Sequence, residues 1–243
     1  MAVIAVYSVK GGVGKTTLAA NLAWCSAAIS CRKTLLWDLD AAGGAGFLLG
    51  LDPKPKRRAD AVISAEKDPA KLIRKTAVGN LDLLPADESI RALEVQLLSL
   101  GKRKRIAKLA AGLGKTYDRI VIDCPPILGE TSAQVMRAAD LVIVPLPPSP
   151  LSARAFGLVA EEVAAHARPH PPILPVLSML DMRKTLHKDA REEHRGWPAI
   201  PYASAAEQCA VRRQPVGAFA PNAPVARAYS KLWTAIERKL ASK

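Results

Sequence analysis

The stretch that decides the fold is SVKGGVGKTT, Ser8 to Thr17. Ahead of it runs VIAVYSV (Val3–Val9), almost continuously apolar, and behind it TTLAANLAWCSAAI (Thr16–Ile29), long and rich in alanine. A buried strand, a glycine loop and a helix in that order make a cradle for phosphate. Gly11, Gly12 and Gly14 let successive backbone N–H groups turn inward. The helix that starts near Lys15 adds the positive end of its dipole. The usual spacing G-x-x-x-x-G-K-[ST] is met by Gly14, Lys15 and Thr16, but its first glycine would fall on Val9. A second lysine, Lys10, follows instead. The candidate nucleotide-binding residues are therefore Lys10, Gly11, Gly12, Val13, Gly14, Lys15, Thr16 and Thr17. Lys15 is placed to neutralise the β- and γ-phosphates, and the Thr16 hydroxyl to ligate Mg²⁺.

Working outward, short apolar runs alternate with longer helical patterns. TLLWDLD (Thr34–Asp40), LDLLP (Leu81–Pro85), RIVID (Arg119–Asp123), DLVIVPL (Asp140–Leu146) and ILPVLSM (Ile173–Met179) read as further strands. Helices are expected over 88–113, 153–167 and from about Val225 to Leu240. Unbroken apolar strands separated by helices imply an α/β protein: one three-layer α/β/α domain over residues 1–243, its sheet mostly parallel and twisted. Ligands of such sheets bind beyond the C-terminal strand ends. Asp38, Asp40 and Asp123 all fall there, beside the glycine loop. Asp123 is placed to hold Mg²⁺ through water, or else to cap the turn that follows it. Asp38 and Asp40 alternate and face opposite sides unless the strand stops between them. Asp40 is the choice for facing the γ-phosphate and orienting the water that attacks it, with Asp38 supporting the metal.

Composition narrows the setting. Of 243 residues, 35 are Lys or Arg and 22 Asp or Glu, a formal charge of +13. Such a surplus fits a polyanionic partner, although an arginine-rich background would give it too. No apolar run reaches the length of a membrane span, and the N-terminal run continues into the loop rather than into a cleavage site. Cys25, Cys31, Cys124 and Cys209 show no metal spacing, so reduced thiols are expected.

With these residues assembled, the chain resembles the ParA/MinD family of deviant Walker A ATPases. The resemblance is carried by KGGVGKTT, LLWDLD, YDRIVIDCPP, ADLVIVPLPPSPLSARA and the closing QPVGAFAPNAPVARAYSKLWTAIERKL, in that order. It covers almost the whole chain. It implies a homodimer with ATP and Mg²⁺ at its interface, in which Lys10 reaches the phosphates held by the other subunit, as an arginine finger does. Read from the residues alone, Lys10 is equally a solvated loop lysine. It further implies a slow ATPase, cytoplasmic and nucleoid-associated. Such a protein binds DNA nonspecifically and positions a cargo until a ParB-like or other adaptor stimulates hydrolysis. Arg183 and Lys184 match the family's DNA-side position, and Arg212 and Arg213 supply a second basic pair. Lys54–Arg58 and Lys102–Arg105 read as solvated surface.

Two departures bear on those contacts. Ala41-Ala42 stand where the pattern has Pro-Gln, and Ala205 lies where a basic residue is expected. Operator-specific repression is not expected, since the first strand starts at Val3. The alternative within the family is a MinD-like membrane ATPase. Tyr229, Leu232, Trp233, Ile236 and Leu240 recur at helical spacing against Arg227, Lys231, Arg238 and Lys239, which suits either a membrane surface or packing on the domain.

Overall fold

The computed structural model describes residues 1–52, 59–64, 68–101, 103–166 and 170–242. The basic run Lys54–Arg58, together with Lys102 and Ala167, lies outside the described residues. Eight strands form one sheet: β1 (Ala2–Val6), β2 (Thr34–Asp38), β3 (Arg74–Lys75), β4 (Leu81–Leu84), β5 (Arg119–Asp123), β6 (Leu141–Leu146), β7 (Ile173–Leu180) and β8 (Ala199–Pro201). Their order across the sheet is β3-β4-β2-β5-β1-β6-β7-β8. All neighbours run parallel except β3, which pairs antiparallel with β4 at one edge.

The helices are α1 (Lys15–Trp24), α2 (Gly44–Leu48), α3 (Asp60–Ser64), α4 (Leu93–Leu100), α5 (Arg105–Leu113), α6 (Glu130–Ala138), α7 (Pro150–His166), α8 (Thr185–Glu193), α9 (Ser204–Arg212), α10 (Val216–Phe219) and α11 (Pro224–Ala241). Strand side chains alternate between two cores. Val3, Ala5, Leu35, Trp37, Ile120 and Ile122 face α3 to α7, while Ile4, Val6, Leu36, Val121 and Ile143 face α1, α2 and α9 to α11. Both faces are covered, which is why the strands read as unbroken apolar runs.

Six of the eight strands lie where the apolar runs placed them. β3 and β8 are too short to carry a pattern. The helix expected over 88–113 is interrupted. A 3₁₀ turn occupies Glu88–Ala92, and α4 ends at Gly101, whose φ of 59° closes the helix in the left-handed region. The helix expected over Thr16–Ile29 passes into a π-helical turn at Cys25–Ile29. There Ser30 Oγ accepts the indole N–H of the buried Trp233 at 2.8 Å, tying α1's extension to α11. Gly217 is fixed by packing, because a Cβ there would overlap the Trp24 ring. Gly217→Ala should destabilise the fold by about 1–3 kcal/mol through overpacking. A thermal melt is expected to show the loss, and an unchanged midpoint would contradict this packing.

Candidate functional site

Register alone assembles the site. Asp123 lies opposite both Val6 and Asp38, so the ends of β1, β5 and β2 meet at one place. The loop from Val9 to Gly14 leaves the end of β1 there. Gly12 and Gly14 take φ of 70° and 87°, and Gly14 is the residue that opens α1. The Lys15 ammonium folds back across the loop and donates to the Lys10 carbonyl at 3.2 Å. It is buried, and desolvation pulls its pKa below the ordinary lysine value against the opposing pull of Asp123 and Asp40.

β2 stops at Asp38, so Asp38 and Asp40 do not alternate on a strand. Asp38 is 1% exposed and accepts the backbone N–H of Asp40 at 3.0 Å and of Ala45 at 3.1 Å. Its carboxyl therefore pins the turn between β2 and α2. Asp40 sits half-buried in that turn and accepts from Ala42 N at 3.0 Å. Asp123 differs from both. It is fully buried, and neither carboxylate oxygen accepts a hydrogen bond. Burial pushes its pKa up to about 7. The nearby Thr16 hydroxyl pulls the other way without completing a hydrogen bond, and the charge of Asp40 pushes it further up. Asp38 is raised too, by burial and then by Asp123. Two orphaned hard oxygens beside a hydroxyl suit Mg²⁺, which prefers one or two carboxylates plus phosphate oxygens and water to a full protein cage. No cluster of three or more His, Cys, Asp or Glu able to hold a metal exists among the described residues.

Lys10 is neither in bulk solvent nor at the phosphate cradle. Its ammonium donates to Ser149 Oγ at 3.2 Å and Ser152 Oγ at 3.3 Å, at the start of α7 in the same chain. The loop also has an apolar flank that the sequence did not disclose. A cleft runs from Val13, Gly14 and Thr17 to Met179, Pro201 and Tyr202. Met179 adopts φ of 52°, a conformation without a sequence signal, and its terminal methyl lies 3.2 Å from where a Gly14 Cβ would stand.

The four expected DNA contacts divide. Arg183 is exposed, but its guanidinium grips Asp181 with two bonds of 2.9 Å, and Asp181 is held well below the usual carboxylate range by that contact. Lys184 is exposed just ahead of α8. Arg213 is only half-buried yet fully engaged. It bonds both Asp52 oxygens at 2.6 and 3.2 Å, donates to the Phe47 carbonyl, and lies 4.8 Å over the Phe47 ring. Arg212 is exposed and lies 5.0 Å over Phe219. The structure thus brings Lys15, Thr16, Asp38, Asp40 and Asp123 together, with Lys10 parked beside them, and commits Arg183 and Arg213 to intrachain acids.

A family model described as an AAA domain matches residues 1–166. The chromosome partitioning protein ParA of Myxococcus xanthus is 32% identical over 203 residues, covering 80% of this chain and 71% of that protein. The chain belongs to the ParA/MinD family of P-loop ATPases. The sporulation initiation inhibitor protein Soj of Bacillus subtilis is 34% identical over 147 residues, 59% of this chain and 57% of its own length, so the match spans little more than half of that relative. Among solved structures, cobyrinic acid a,c-diamide synthase from Mycobacterium smegmatis, holding ADP and magnesium, superposes with a TM-score of 0.82 at 27% identity over 99% of this chain and 96% of that one. The septum site-determining protein MinD of Pyrococcus horikoshii shares the fold, with a TM-score of 0.78 at 23% identity over 99% and 97% of the two chains.

Proposed function

We propose that this ParA/MinD-family chain binds ATP with Mg²⁺, dimerises around the nucleotide, hydrolyses it slowly, and holds nonspecific DNA in the ATP state to partition or position a cargo with a stimulating partner. The observation that carries the nucleotide part is the Asp123 carboxylate, buried and without a hydrogen bond beside Thr16 at the mouth of a closed phosphate loop. A buried carboxylate left in that state is costly unless a cation completes it. Bound Mg²⁺ would offset that cost and neutralise charge on the β- and γ-phosphates. Lys15 exchanges the Lys10 carbonyl for phosphate oxygens, and the amides around Gly12 and Gly14 line the cradle. Asp40, outside the strand and half-exposed, orients the attacking water. The cleft between Met179, Pro201 and Tyr202 takes the base. The names of the partitioning relatives and the surplus of positive charge support the DNA and cargo parts.

Dimerisation requires Lys10 to leave Ser149 and Ser152 for the partner's phosphates. Lys10→Ala should bind ATP within a few-fold of the parent yet stay a single chain in light scattering. A nucleotide-dependent dimer of that variant would refute the trans role. The whole reading is tested by ATP turnover with and without duplex DNA, alongside a DNA mobility shift in ATP and in ADP. DNA retention in ATP alone is expected, and equal retention in both states would contradict the cycle.

The membrane alternative needs a free apolar face on α11. Tyr229, Leu232, Trp233 and Ile236 are all buried in the second core, at 4% exposure or less. Among the described residues no helix is long and apolar enough to cross a membrane. The packed reading of this helix is the one that fits.

A further inference from the structure

The buried face of α11 raises the question of what its other face is for. Arg227, Lys231 and Arg238 are exposed, and at 3.6 residues per turn they fall within about 40° of one another, opposite the buried stripe. The first and the last are eleven positions apart, so the row is about 16 Å long at 1.5 Å per residue. Lys239 flanks it. The single acid on the helix, Glu237, points elsewhere and is held by Arg119 at 2.7 Å and by Arg32 at 3.7 Å. Among the described residues, none of Arg227, Lys231 and Arg238 makes a side-chain ion pair or hydrogen bond to the rest of the chain. Arg191, from the end of α8, lines the same groove as Arg227 and Lys231, along the outer edge of β8. Among the described residues its guanidinium is satisfied only by carbonyls, Trp197 O at 2.7 Å and His194 O at 3.5 Å, with no acid beside it.

We propose that this row on α11, with Arg191, is the surface that grips the phosphate backbone of duplex DNA. The inference rests on the DNA-binding reading above and shifts its main contact from Arg183 and Arg213, which are paired with Asp181 and Asp52, leaving exposed Lys184 and Arg212 as flanking cations. An uncompensated cation releases counterions on meeting a phosphate, whereas a paired one must first give up its acid. A straight row of arginine and lysine with no aromatic or amide side chain between its members makes contacts that position without reading sequence. An anionic membrane would draw on the same charges, but this helix has no apolar face left to add insertion to them, because its apolar stripe is inside the protein.

The test compares three proteins on a random-sequence duplex in ATP and Mg²⁺ over a salt series, by fluorescence anisotropy. They are the parent, the triple variant Arg227→Ala/Lys231→Ala/Arg238→Ala, and a charge-matched control, Lys104→Ala/Lys108→Ala/Lys115→Ala, whose exposed lysines lie on or beside α5 across the sheet. Each lost phosphate contact lowers the slope of log K against log salt by about 0.9. The α11 variant should therefore lose at least tenfold in affinity, with a slope shallower by about 2–3 per engaged subunit. The control should lose less than threefold, and ATP binding should be unchanged in all three. If the α11 variant matches the parent in affinity and slope, this surface is wrong while the DNA reading stands. Equal losses in variant and control would also overturn it, since overall charge would then explain both. A parent that ignores DNA in ATP but sediments with phosphatidylserine vesicles would overturn the surface and the DNA reading together.

Discussion

Lys15→Ala is expected to lose ATP affinity by at least a hundredfold, about 3 kcal/mol, with the fold intact. Lys15 is the buried cation that Asp123 and Asp40 both act on. Charge-assisted hydrogen bonds contribute about 1.5–3 kcal/mol each, and an alanine also leaves Asp38, Asp40 and Asp123 facing the triphosphate with no lysine between. The apo protein should survive the change. Desolvation holds the Lys15 pKa below its ordinary value, so the charged ammonium is not a net stabiliser of the empty fold. A titration with fluorescent ATP analogue, paired with a melt, reads both quantities. ATP binding within threefold of the parent would refute the phosphate-loop assignment.

Asp123→Asn should act in opposite directions on the empty and the loaded protein. In the empty protein the carboxylate is buried, lacks a hydrogen bond and lies in register beside Asp38, whose own carboxyl is pushed up by burial and by Asp123. Leaving a buried charged group unsatisfied costs about 1–3 kcal/mol or more, and an amide removes the charge while keeping the shape. The apo variant should therefore melt about 2–12 °C higher, at about 2–4 °C per kcal/mol for a chain of this size. The extra melting shift that Mg²⁺ gives over ATP alone should vanish. A lower apo midpoint together with an intact Mg²⁺ effect would show that Asp123 is a structural acid.

Much of this site was legible in the sequence because its parts sit at the ends of unbroken apolar runs. The parallel order then carries Asp38 and Asp123 side by side from strands that lie 85 positions apart in the chain. The relation of Asp38 to Asp40 was left conditional on where the strand stops, and β2 stops at Asp38. Charge was less legible than apolar pattern. Arg183 and Arg213 read as free cations because sequence gives the sign of a side chain and not its partner; Asp52 is 161 positions from Arg213. The same limit hid the contact of Lys10 with Ser149 and Ser152, 139 and 142 positions away. The α11 periodicity was plain, but an apolar stripe looks alike whether it meets lipid or a sheet. Only the packing of Trp233 and Ile236 separates the two. β3 and β8, of two and three residues, had no period to show.

In the proposed cycle two copies of the chain meet across ATP, each supplying Lys10 to the other. Light scattering of Asp40→Ala with ATP and Mg²⁺ tests it most directly, because slowed hydrolysis should hold the assembled state. Twice the 25.9 kDa of one chain is expected in ATP, one chain in ADP, and one chain again when Lys10→Ala is added to the same background. A single chain with ATP fully bound, or a dimer indifferent to Lys10, would contradict it.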